Sequence, residues 1–206
     1  MNGDILLEIF TQISDFGAVN GFARLCKKCS EIVRGNLPEL TRRFVEIKTL
    51  EGVDKEDEGY FMIKYQQWPN EIKHGIYHYY FTEAGFGTKY YFDTYTIYNF
   101  GKEMCVARID GYKNHRDHEY RCGKYKYNIV SHAGQPSLFT KTSEVGGVVR
   151  RCEYTIEGAV ITEHASWRIG AKVLKERTQV VNGIYELVPV LAAINDIAIR
   201  ADKLKK

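Results

Sequence analysis

The sequence predicts an α+β protein made of a short N-terminal helical module, an antiparallel β-meander and a C-terminal helix. Three observations carry this. Apolar residues recur with a helical period at both ends, they alternate with period two through the middle, and Tyr (15) and Phe (10) far outnumber Pro (4). Aromatic side chains suit a pleated, half-buried surface, so their excess argues for strands.

Residues 4 to 34 open the chain. Ile5, Leu6, Ile9, Phe10 and Ile13 fall on one helical face, and after a break at Ser14-Asp15-Phe16-Gly17 a second set follows with Val19, Phe22, Leu25, Cys26, Cys29 and Val33. Asp4 is placed to cap the first helix. Gly35-Asn36 stops the second, because both residues tolerate the left-handed conformation, and Pro38 suits the first turn of a short third helix. Two or three such helices are too few to bury themselves alone.

The stretch 51–58, EGVDKEDE, is mostly charged and reads as a solvated linker. It divides the chain into a helical module over 1–50 and a sheet domain over 59–206. From Gly59 to about Arg177 the period is two. Tyr125, Tyr127 and Ile129 alternate with Lys124, Lys126 and Asn128, and Cys152, Tyr154 and Ile156 alternate with Arg151, Glu153 and Thr155. Further strands are expected over 59–66, 75–82, 88–98, 103–109 and 159–168. Turns are expected at Glu83-Ala84-Gly85, Asn99-Phe100-Gly101 and Asp110-Gly111, giving a meander of about seven to nine strands. From Pro189 to Leu204 the helical period returns, with Val190, Leu191, Ile194, Ile197, Ala198 and Ala201 on one stripe and lysines at the negative end of the dipole.

Composition bounds the function. A net charge of +3, scattered along the chain, prompts no nucleic-acid partner. No apolar run reaches the roughly 18–20 residues that span a bilayer, and no signal peptide is evident, so a cytoplasmic protein is expected. Five irregularly spaced cysteines fit a reducing compartment in which the thiols stay free.

Motifs for chemistry are sparse. Cys26-Lys27-Lys28-Cys29 has the spacing that zinc or redox work requires, yet no second pair follows at ligand spacing and both residues fall on an apolar stripe, so they read as small core residues. Cys105, His115, His118 and Cys122 read as two strand cysteines around a polar hairpin tip; as a zinc set they match no common module. His115-Arg116-Asp117 lacks every other part of a kinase site, and no hydrolase, metalloprotease or phosphate-loop motif is present. No catalysis, metal or cofactor is expected. Tyr90, Tyr91, Phe92 and Tyr95 fill both faces of one strand, so one of those faces must be covered, by the terminal helices or by a partner.

Two stretches resemble known modules. Ile5-Leu6-Leu7-Glu8-Ile9-Phe10, then Ser14, Leu25-Cys26-Lys27-Lys28-Cys29 and Ile32-Val33, resemble the F-box, with Asn2-Gly3 in place of its Leu-Pro and Cys29 in place of its Trp. Trp68-Pro69-Asn70-Glu71-Ile72-Lys73-His74-Gly75-Ile76-Tyr77-His78-Tyr79-Tyr80 resembles the variant MORN repeat, in which an Asn-x-x-x-His-Gly turn leads into an aromatic strand. Such heads followed by such hairpins are typical of protein families in large DNA viruses that infect amoebae. The resemblance implies an adaptor: Ile5, Leu6, Ile9, Phe10, Leu25 and Cys26 would divide between the module's own core and a partner surface for the ubiquitin-ligase linker protein that F-boxes grip. The sheet would then hold a second protein. A structural virion component, such as a minor capsid protein, is the alternative that the same resemblance implies.

Overall fold

The computed structural model describes residues 3–54, 59–85 and 88–205. Four short helices, α1 (Gly3–Gln12), α2 (Phe16–Leu25), α3 (Lys27–Gly35) and α4 (Leu37–Phe44), precede eleven strands and a C-terminal helix. The strands are β1 (Glu46–Asp54), β2 (Gly59–Gln67), β3 (Lys73–Gly85), β4 (Thr88–Asn99), β5 (Lys102–Tyr112), β6 (His115–Cys122), β7 (Tyr125–His132), β8 (Gln135–Val145), β9 (Val148–Glu157), β10 (Val160–Ile169) and β11 (Lys172–Val181). They form one sheet in unbroken chain order. Helix α5 (Leu187–Asp202) follows, closed by a 3₁₀ turn over Lys203–Lys205. The α+β architecture is as the periodicity predicts.

Local chemistry sets the boundaries. Asp15 caps α2, its Oδ2 accepting from the Ala18 amide at 2.7 Å, whereas Asp4 lies inside the first turn of α1 and is not its cap. Cys26 is extended (φ −163°, ψ 170°), which splits the expected second helix into α2 and α3. Arg43 of α4 donates to the Ile13 carbonyl and ties the last helix to the α1–α2 corner. Four helices therefore replace the expected two or three.

The charged stretch 51–58 is not a linker over its first half. Glu51 to Asp54 complete β1, which pairs with β2 from Glu46↔Gln67 to Asp54↔Gly59; residues 55–58 lie outside the described residues. Charge misled here because β1 is an edge strand, and an edge strand carries polar side chains at little cost. The sheet accordingly begins at Glu46, inside what the sequence assigns to the helical module.

From β4 to β11 every connection is two residues long. Phe100-Gly101, Ala133-Gly134 and Gly146-Gly147 take positive φ at both central positions, the requirement of the type I′ turn that matches strand twist. Short turns help explain the eleven strands: from β4 onward each reversal takes only two residues. Asp110-Gly111, expected as a turn, lies within β5, and the reversal falls at Lys113-Asn114. Gly111 is instead a gap filled by an aromatic ring, for a Cβ there would come within 2.3 Å of Tyr91. Glu83, Ala84 and Gly85, expected as a turn, belong to β3, and residues 86–87 lie outside the described residues.

Two cores result. Helix α5 lays Val190, Ile194, Ile197 and Ala201 on one face of the sheet, against Ile76, Tyr95, Ala107, Ile129 and Phe139. The helices α1–α4 bury Leu6, Phe10, Val19, Phe22, Cys29 and Leu40 together with one residue of the β2–β3 connection, Trp68. Cys105 and Cys122, directly opposed across β5 and β6, are joined as a disulfide, which corrects the expectation that all five cysteines are free; Cys26, Cys29 and Cys152 are free.

Candidate functional site

The F-box-like residues separate by burial. Leu6 and Phe10 are buried in the helical core, while Ile5, Ile9 and Leu25 are exposed, Leu25 at 73%, and Cys26 is exposed as well. Leu7 is also exposed. Ile5 and Ile9 stand one helical turn apart on α1 and so share a face. The six residues thus form no single cluster: two are interior and four stand on the surface. Periodicity could not make the distinction, because a ten-residue helix with apolar residues at 5, 6, 7, 9 and 10 is apolar on more than one side.

An aromatic stack joins the helical cap to the sheet. The Trp68 indole lies between Phe16 of α2 (centroids 5.1 Å apart) and Phe100 of the β4–β5 turn (5.7 Å, 4° from parallel). His74 packs on both Trp68 (5.1 Å) and Phe100 (5.0 Å), and its Nδ1 accepts from the Phe100 amide at 3.4 Å. Burial pushes the His74 imidazole below its usual pKa, in keeping with a ring nitrogen that accepts. Sequence reading assigned Trp68 and His74 to a repeat-like turn and gave no sign that Trp68 would sit at 1% exposure inside the helical core.

The sheet has one covered face and one open face. Tyr95 is buried beneath α5, while Phe92 points the other way, against Tyr79 (5.3 Å) and Phe81 (5.4 Å), with Arg108 over its ring at 5.1 Å. One face of β4 is therefore covered by α5, and on the other the aromatic rings pack side by side with their strand neighbours. Further along the open face, one cross-strand line runs Arg108, Glu119, Asn128, Thr140, Glu153, His164 and Thr178. The line mixes charged and neutral polar side chains, of which Thr140 is buried and the others are exposed or half-buried.

A cleft of ≈ 540 Å³ opens beside the segment that leads into α5, lined by Lys141, Arg150, Tyr154, Glu163 and Glu186 among others. Three of its charges are paired: Lys141 with Glu186 within the lining, and Glu163 with Arg177, which comes from β11 beside it. Burial pushes the Glu163 carboxyl up, but hydrogen bonds from Arg177 and Tyr154 outweigh it and hold the group below the usual range. Arg150 lies over the Trp167 ring at 5.2 Å, and the free, buried Cys152 also lines the cleft.

The candidate zinc residues do not converge. Cys105 and Cys122 are bonded to each other at one end of the β5–β6 hairpin, while His115 stands at the other end, opposite Tyr112. Among the described residues no group of three or more His, Cys, Asp or Glu side chains is arranged to hold a metal ion. No described helix is long and apolar enough to cross a membrane. No family model, characterised protein or solved structure matches the chain.

Proposed function

We propose that the protein is a non-catalytic adaptor in which the helical cap docks one protein and the open sheet face holds another. The observation that carries this reading is the separation of the two cores. The cap has its own interior, built from α1–α4 and closed by Trp68, and it stands at the turn end of β2–β5 instead of lying flat on the sheet. Because its interior is already complete, the apolar side chains of Ile5, Leu7, Ile9 and Leu25 have no structural duty within the chain. The partner proposed for them is the ubiquitin-ligase linker protein, which an F-box-like helix pair would grip, and the target would lie on the open face with its aromatic patch and charged row.

The test is co-elution and calorimetry of the full chain with purified linker protein. Binding that is lost in Ile9→Asp and Leu25→Asp, both with unchanged melts, supports the docking role; absence of a complex with the wild-type chain refutes it.

A second reading, a structural virion component, draws on the open sheet edges. β11 is exposed along nearly its whole length and β1 along most of its own. A lattice built edge to edge through β-augmentation would use both, and concentration-dependent assembly in light scattering would favour it over the adaptor.

A further inference from the structure

The corner between α2 and α3 holds two thiols in an arrangement that the core-packing explanation of Cys26-x-x-Cys29 does not cover. Cys29 fits that explanation, being 1% exposed within the helical core. Cys26 does not, for it is exposed. It sits at the N-cap of α3, where its Sγ accepts from the Cys29 amide at 3.4 Å, and the two sulfurs are 3.3 Å apart. Ser, Asp or Asn would cap a helix better than a thiol does, so capping alone gives no reason for sulfur at this position.

We propose that Cys26 and Cys29 are a redox-active dithiol, with Cys26 as the attacking thiol and Cys29 as the resolving one, oxidised by low-molecular-weight disulfides of the glutathione type. Three features support it independently of the docking reading. The Cys29 amide at the N-terminus of α3 stabilises negative charge on Cys26 and holds it below the usual thiol range, while burial and the neighbouring Cys26 sulfur push Cys29 above it. Only Cys26 is open to a reagent from solvent. Closure moves the sulfurs from 3.3 Å to about 2.05 Å, a short step for a residue that lies between two helices and inside neither. Two thiols without a further ligand suit exchange better than metal binding.

The steps balance as follows. The Cys26 thiolate attacks one sulfur of the small disulfide, forming a mixed disulfide and releasing one thiolate, which takes up the proton Cys26 had given to water. Cys29 then loses its proton and attacks the Cys26 Sγ. The intramolecular bond forms, the mixed disulfide breaks, and the second small thiol leaves with that proton. The protein gives up two electrons and two protons, and one small disulfide becomes two thiols.

The experiment equilibrates the full chain in glutathione buffers from fully reduced to fully oxidised, quenches with acid, alkylates, and maps tryptic peptides. Cleavage after Arg24, Lys27, Lys28 and Arg34 puts the two cysteines on separate peptides. The expected result is that peptides 25–27 and 29–34 become linked as the buffer turns oxidising and separate again with dithiothreitol. In Cys29→Ala glutathione should remain on Cys26, and in Cys26→Ser, which keeps a capping hydroxyl and the melt, residue 29 should stay unmodified. Alkylation of both cysteines in every buffer, or glutathione persisting on wild-type Cys26 with Cys29 free, would overturn the proposal.

Discussion

Phe16 stacks on Trp68 with ring centroids 5.1 Å apart and planes 21° from parallel, and this contact helps to seat the helices α1–α4 on the β2–β3 connection. Trp68 belongs to the sheet by sequence and to the helical core by burial. Trp68→Ala should therefore cost about 3–5 kcal/mol, the range for emptying a large aromatic site. Trp68→Phe should cost less, since it keeps a ring while removing an indole N–H that is buried without a hydrogen-bond partner. Urea unfolding of the three proteins checks both; equal midpoints would show that the stack holds nothing.

Phe10 and Ile9 are adjacent in sequence and opposite in consequence, at 2% and 45% exposure. Phe10→Asp should destabilise the cap by several kcal/mol, because it buries an unpaired carboxylate. Ile9→Asp should change stability by no more than about 0.5 kcal/mol. Thermal melts of the two variants should differ clearly, and similar melts would mean that α1 is seated otherwise.

Acid should loosen the protein in two separate windows. The folded His74 imidazole is held below its ordinary value of 6.5, so the unfolded chain binds more protons there and stability falls as pH drops from about 6.5 downward. His118, pushed down mainly by burial, adds to the same window. Glu163 is also held below its ordinary value of 4.5, so what its ionised form contributes is present above that pH and lost as pH falls through the lower folded value. Urea midpoints from pH 8 to 3 should show that His74→Phe flattens the first fall and Glu163→Gln the second; unaltered profiles would contradict both assignments.

Two glycines should resist substitution for different reasons. Gly111→Ala brings a Cβ within 2.3 Å of the Tyr91 ring at an ordinary backbone conformation. Gly123→Ala meets open space but holds φ at +59°. The second should cost about 1 kcal/mol. The first should cost more and move Tyr91, visible as a change in near-ultraviolet circular dichroism; a silent Gly111→Ala would mean that the ring has room to turn.

Legibility in the sequence followed the strength of local pattern. The stripe of α5 could be read directly, because Val190, Ile194, Ile197 and Ala201 obey one period over a long helix. Strands β7 and β9 could be read from clean alternation. Strand β1 could not, because Glu46 to Leu50 fall within the stretch assigned to the helical module and Glu51 to Asp54 open the charged stretch that reads as a linker. Strand β6 was hidden as a polar hairpin tip, since His115 to Arg121 contains one aromatic and no aliphatic residue. The apolar residues of the cap were half legible: the helices follow from the period, but which side chains turn inward depends on Trp68, which arrives from elsewhere in the chain. Cys26 falls on an apolar core stripe only if one helix runs unbroken through it, and its extended backbone ends α2 there.

Because the strands lie in chain order with two-residue reversals from β4 onward, each strand meets only its sequence neighbours. Contact order is low for an all-antiparallel sheet of this width, and loop closure between consecutive strands costs little entropy. Folding can begin at any hairpin and zip outward in both directions, as in repeat proteins whose stability sums over nearest-neighbour interfaces. Damage should stay local for the same reason, so that loss of β11 frays one side of the sheet while the pairing around Trp68 survives.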